Sequence, residues 1–143
     1  SGNQARLRRS SSLAVGSSYT AVALSFWMYH DTGYSTSADK VQVQVSLDNS
    51  SWTSVGSAVN RYDGSTGWKQ HTIDLTAYKG KTVYLAFLGT SAYGNNMFID
   101  DVLVTGSTSG FASMQEEVPM EVAPFDPMSA IEGSPEPVEI EIQ

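Results

Sequence analysis

Cysteine is absent from the 143 residues, so no disulfide staples the fold and no thiolate is available for catalysis or metal binding. Proline and glutamate are missing from most of the chain: all five prolines and all seven glutamates fall in residues 114–143. That last segment also has no Lys or Arg, and with Asp126 it carries a charge of −8. Residues 1–113 hold all eight Lys and Arg against seven Asp, a net +1. A near-neutral body without a basic stripe excludes nucleic acid as a partner. No apolar run is long enough to span a membrane, and the first residues do not have the pattern of a signal peptide. Histidine occurs twice, at 30 and 71, without metal-ligand spacing, so His71 reads as a packed strand residue. Neither a nucleophile elbow nor a phosphate loop is present, and the enzyme reading is the weakest.

What the chain does have is short alternating apolar segments separated by Gly, Ser, Asn and Asp. Ala5–Arg9 reads as a short strand whose bases guard a sheet edge, and Leu13 and Val15 fit another. Ala21–His30 is a strand with large groups on both faces: Leu24, Phe26 and Met28 on one, Trp27 and Tyr29 on the other. Packing between sheets is the first expectation for Trp27 and Tyr29, and a sugar platform the second. Lys40–Leu47 alternates with Val41, Val43, Val45 and Leu47 inward. A hairpin turn at 48–51 and a strand over 52–59 follow. His71, Ile73 and Leu75 share one side of the next strand.

Residues 81–104 read as two strands around a Gly/Asn-rich loop, with Val83, Leu85 and Phe87 on one face of the first. The second contains adjacent carboxylates, Asp100 and Asp101. Strand alternation points one of them inward, where a carboxylate needs a cation, a metal or several donors. Residues 106–143 read as a linker and an acidic, Pro-rich tail, mostly disordered or extended. Within the tail, Val138–Ile142 alternates with period two and suits either a strand on an open edge of the domain or the start of a following domain.

Four stretches carry a family resemblance: Leu24-Ser-Phe-Trp-Met-Tyr-His, the Lys40–Ser46 strand followed by Asp48 and Trp52, Gly67-Trp68-Lys69, and Phe98-Ile-Asp-Asp-Val102. Together they resemble the MAM-like, choice-of-anchor-J and cleaved-adhesin β-domains, including the adhesin regions of gingipains. The resemblance spans residues 5–104. It implies an all-β, antiparallel jelly-roll β-sandwich of the galactose-binding-like or MAM-like kind over residues 1–105. It also implies extracellular or cell-surface placement on a secreted, protease-associated bacterial protein, with binding rather than catalysis. Members often carry structural calcium, which the resemblance assigns to Asp100 and Asp101. Asp31 and Asp39 are added as candidate ligands because calcium takes six to eight oxygens. The family's usual N-terminal segment, with an edge strand and calcium ligands, is expected to be missing here, which leaves a sheet edge open to self-association unless the tail fills it.

If each connection after residue 24 reverses the chain, loops 31–39, 60–68 and 90–96 emerge at one end, and turns 48–51 and 76–80 at the other. Longer loops on a rigid scaffold are where binding usually lives. The candidate ligand-binding residues at that end are Tyr34, Arg61, Tyr62, Asp63, Trp68, Tyr93, Asn95 and Asn96. Flat aromatic faces beside amides and charged groups suit a glycan or a surface-protein loop. An alternative is an assembly module whose C-terminal tail docks as a strand or peptide.

Overall fold

The computed structural model describes residues 2–109 and the backbone of 138–140. The elements in chain order are β1 (Gln4–Arg8), β2 (Leu13–Ala14), β3 (Ala21–His30), β4 (Lys40–Ser46), β5 (Thr53–Ser54), β6 (Val59–Asn60) and β7 (Gly67–Asp74). A short 3-10 turn (Thr76–Tyr78), β8 (Thr82–Thr90), β9 (Met97–Ser107) and β10 (Val138–Ile140) follow. All strand pairings are antiparallel and fall into two sheets. One sheet runs β1-β8-β4-β5, with β2 on β8 and β6 on β4; the other runs β10-β9-β3-β7. Among the described residues no helix is long and apolar enough to cross a membrane.

The sheets pack face to face because each inner face is apolar at every second residue. Val22, Leu24, Phe26 and Met28 of β3 meet Val41, Val43 and Val45 of β4 and Val83, Leu85 and Phe87 of β8 in one buried cluster. The Phe26 and Phe87 rings touch edge to face at 5.0 Å between centroids. Burying one such ring contributes roughly 1.5–3 kcal/mol. On edge strand β1, Ala5 and Leu7 pack against this core, while Arg6 and Arg8 sit on the opposite side. The Arg6 guanidinium lies 5.2 Å from the centre of the Trp52 ring and donates to Gln44 Oε1 at 2.9 Å.

Three expectations change. Leu47 is exposed rather than inward, because β4 ends at Ser46 and the chain turns where Asp48 Oδ1 accepts the amides of Ser50 and Ser51. The strand over 52–59 is split into β5 and β6, both on β4, with Gly56 at φ 68 pressed against the Ile73 side chain. Third, neither Asp100 nor Asp101 points inward. The register between β3 and β9 slips here: Trp27 faces Asp100 and Ser25 faces Leu103, so Phe26 stands opposite two residues. This bulge changes the inward set of β9 from Met97 and Ile99 to Val104. Unbroken alternation would aim Asp101 at the core; the extra residue lifts it out, at φ 47. The same shift leaves Val102 and Leu103 exposed.

At the edge of the second sheet, β10 pairs with the start of β9: Val138 with Ile99, Glu139 with Phe98 and Ile140 with Met97. The rest of the predicted tail lies outside the described residues.

Candidate functional site

Loops 31–39, 61–66 and 91–96 each connect one sheet to the other and meet at the same end of the sandwich, as the alternation of strand directions requires. The buried side chain of Arg61 ties them together. Its Nε donates to Asp39 Oδ2 at 3.1 Å and its Nη1 to Asp31 Oδ1 at 2.6 Å. Nη2 donates to the carbonyls of Gly33 at 2.9 Å and Tyr34 at 3.1 Å. Asp39 Oδ1 then accepts the amides of Ala92 at 2.6 Å and Gly94 at 3.1 Å from the third loop. Burial pushes the Asp39 carboxyl up, but those two amides and the Arg61 guanidinium outweigh it and hold the group below the usual carboxylate range. Gly94 is required here for space: a Cβ on it would lie 1.8 Å from Asp39 Oδ2.

This lock sets the rim backbone. Ala92 and Gly94 both aim their amides at one oxygen, which places the intervening Tyr93 at φ 63. Tyr34, whose carbonyl turns toward Arg61, sits at φ 49. Both tyrosine side chains project outward, at 61% and 73% exposure for Tyr34 and Tyr93.

Beneath the lock lies a histidine pair. Buried His30 donates through Nδ1 to the Arg61 carbonyl at 3.0 Å. The two rings also meet through their Nε2 atoms at 2.9 Å, one donating and the other accepting. Asp63 Oδ2 is 3.4 Å from His30 Nδ1 and also takes the Lys69 ammonium. The Lys69 hydrogen bond lowers the Asp63 pKa to about 2. Burial, reinforced by His30 and opposed by Asp63, pushes the His71 pKa down.

The concave surface is on the outer face of the β10-β9-β3-β7 sheet, just below the rim. Register places Trp68 opposite Tyr29, and Phe98 is the next residue across on β9. The Tyr29 ring makes edge-to-face contacts with Trp68 at 5.6 Å and Phe98 at 6.4 Å, an aromatic row across three strands. Above it is an open cleft of about 620 Å³ lined by Tyr29, Phe98, Asp31, Thr32, Gly33, Thr66, Asn95 and Asn96. Two aromatic rings form the apolar part, and hydroxyls, amides and one carboxylate form the polar wall. The volume falls within the range of ligand clefts, about 300–1,000 Å³.

No protein-family model matches the chain, and no curated protein matches it either.

Of the predicted ligand-binding residues, Asn95 and Asn96 line the cleft and Trp68 stands beside it. Trp68 belongs to strand β7 rather than to a loop. Arg61 faces no ligand, because it is fully buried on four acceptors. Asp63 is engaged with Lys69 and Ser65. Tyr34, Tyr93 and half-buried Tyr62 belong to the rim but not to the cleft lining. Trp27 and Tyr29 were expected first between the sheets; both lie on the outer face, because the inner positions of β3 are the even-numbered ones.

The four candidate metal ligands do not fit one calcium site. Asp31 and Asp39 surround the Arg61 guanidinium, itself the cation that satisfies them. Asp100 pairs with Trp27, four residues along β3 from Asp31, or about 13 Å at strand rise. Asp100 Oδ1 accepts the Asp101 amide, and both residues are exposed. Among the described residues no group of three or more His, Cys, Asp or Glu is placed to hold a metal.

Phe98, Thr32 and Thr66 were missed in the sequence, and Tyr29 was read as a sugar platform only as the second expectation. The signal for Tyr29 was its phase, opposite to Phe26 and Met28 on the same strand. The His30–His71 contact left no local signal, since it joins residues on two strands.

Proposed function

We propose that this domain is a non-catalytic recognition module that binds a glycan in the cleft above Tyr29 and Phe98. The observation that carries the reading is the aromatic row Trp68–Tyr29–Phe98 ending under a wall of Asn95, Asn96, Thr32, Thr66 and Asp31. Sugar rings present apolar C–H faces to aromatic planes and hydroxyls to amides and carboxylates, and this surface offers both side by side. The rim lock supports it physically, because a preorganised wall costs less ordering entropy on binding. In this reading the domain is a jelly-roll module of a secreted or cell-surface bacterial protein, where it serves adhesion or substrate anchoring.

The test is a glycan array followed by calorimetry, comparing the native chain with Tyr29→Ala and Trp68→Ala. Loss of about 1–3 kcal/mol of binding per ring supports the cleft, taking the range for one stacked aromatic face. Unchanged binding in both variants removes it.

A second reading, in which the domain is an assembly module, is favoured by one observation: β10 pairs with the edge of β9. Strand addition to an open edge is a recurring way to join chains. Change of Ile140 to Pro in the full chain, followed by light scattering, tests whether that pairing governs self-association.

A further inference from the structure

We infer that the cleft selects uncharged or amine-bearing sugars and turns away sugars carrying carboxylate, sulfate or phosphate groups; this rests on the glycan reading above. Three observations lead there. The residues lining the cleft include one ionic side chain, Asp31, and no Lys or Arg. The nearest base tied to that wall is Arg61, which is fully buried and already donates to Asp39, Asp31 and the carbonyls of Gly33 and Tyr34. It cannot swing out to meet an anion without breaking the contacts that join the rim loops. Third, β10, the Val-Glu-Ile strand paired with the β9 stretch that holds Phe98, brings no Lys or Arg to that edge of the sheet.

An anionic ligand gives up hydration on entering a cleft and needs a cation or converging N–H groups in return. Here it meets a carboxylate on the wall and no cation among the lining side chains. An ammonium group on a sugar is in the opposite position: it gains from the Asp31–Asp39–Arg61 cluster, whose two carboxylates outnumber its one cation, and from the aromatic faces beneath. A neutral sugar is indifferent to the field and keeps its stacking and amide contacts. Because the discrimination is electrostatic and near the surface, it weakens as added salt shortens the screening length below about 10 Å.

The experiment is calorimetry on the full chain with three oligosaccharides of equal length: an N-acetylated neutral one, its de-acetylated amine form, and a uronic acid one, at low and at high salt. The expected result is binding of the first two, with the uronate at least about tenfold weaker at low salt and the gap narrowing at high salt. Thr66→Lys and Asn95→Lys, both at exposed positions of the lining, are expected to narrow the gap at low salt by supplying the missing cation. Uronate binding as tight as that of the neutral sugar in the native chain overturns the selectivity while leaving the glycan site standing. Failure of all three sugars to bind overturns the glycan reading itself, and the selectivity with it.

Discussion

Arg61 Nε stands 3.1 Å from Asp39 Oδ2, and neither side chain is more than 2% exposed. A buried ion pair of this kind is expensive to form and more expensive to break, because the surviving charge is left without a partner. Here it is also the junction of three loops that each connect one sheet to the other. Arg61→Ala is expected to destabilise the domain by about 3–5 kcal/mol. Arg61→Lys should recover little of that, since an ammonium cannot present the planar fork that reaches two carboxylates and two carbonyls. Urea unfolding measures both. A loss under about 1 kcal/mol for Arg61→Ala would mean that the loops hold one another without it.

Gly94 tests the same junction from the other side. A methyl group there would overlap Asp39 Oδ2 and come within 2.9 Å of Arg61 Nη2. Gly94→Ala is therefore expected to cost about 1–3 kcal/mol or more, the range for forced overpacking. Gly64 is the control: nothing lies within 4 Å of its would-be Cβ, but its φ is +89. Gly64→Ala then reports backbone strain alone, about 1–3 kcal/mol for a residue held at a poorly populated φ. Comparable losses would be uninformative on their own, so fluorescence or NMR of the Asp31 to Asp39 loop is read alongside. Only Gly94→Ala should perturb it.

How far the fold was legible follows from the same residues. Two-residue alternation marked the strands and their inner faces, since burial on one side of a pleated strand leaves a direct imprint in the sequence. Strand reversals then put three loops at one end without knowledge of any contact. What alternation cannot show is a break in itself. The extra residue opposite Phe26 turned an expected inward aspartate into an exposed one and set Asp100 and Asp101 apart from Asp31 and Asp39. Arg61 looked like a surface hydrogen-bond donor because a single base in a Gly-rich loop is usually solvated; its partners are 22 and 30 residues away. Tyr29 and Phe98 come together only through register across two strands, which single-chain periodicity does not contain.

His71 gives the stability a pH dependence with a definite sign. The His71 pKa is lowered in the folded protein, with His30, Asp63 and Lys69 around it. Above about pH 6.5 the ring is neutral in both states and contributes no slope. As pH falls below that value the unfolded chain takes up a proton that the folded one resists, so stability declines, by at most about 1.4 kcal/mol per pH unit for one site. Asp39 and Asp63 act lower down. Their folded pKa values are depressed, so their contribution is complete above about pH 4 and is lost as pH drops through the folded values. Urea midpoints measured from pH 8 to pH 3 should show two separate declines. His71→Gln keeps an amide that can donate to or accept from His30 and should flatten only the upper one; if the upper decline survives the substitution, His71 is not its source.

Calcium removal offers a direct check on the reassignment of the aspartates. If Arg61 is the counter-charge of Asp31 and Asp39, a chelator should leave the thermal midpoint unchanged, because nothing bound only to the folded state is being withdrawn. A fall of several degrees that added calcium reverses would place the ion among oxygens other than the ones brought together here.

The bulge on β9 makes the last prediction. Asp101 is held at φ 47, a region that side chains with a Cβ enter at a cost, and its amide is satisfied by Asp100 Oδ1 at 2.8 Å. Its own side chain is exposed, so little packing is lost on removing it. Asp101→Gly should therefore be neutral or stabilising by up to about 1 kcal/mol, because glycine adopts this conformation freely. Asp101→Val should destabilise by more than about 1 kcal/mol, since a β-branched residue resists positive φ most strongly. The pair of variants also probes the site: the bulge sets the phase that keeps Ile99 inward and Phe98 beside Tyr29. If Asp101→Val instead folds with undiminished stability, β9 can lie flat without the bulge, and the aromatic row above it has no fixed register.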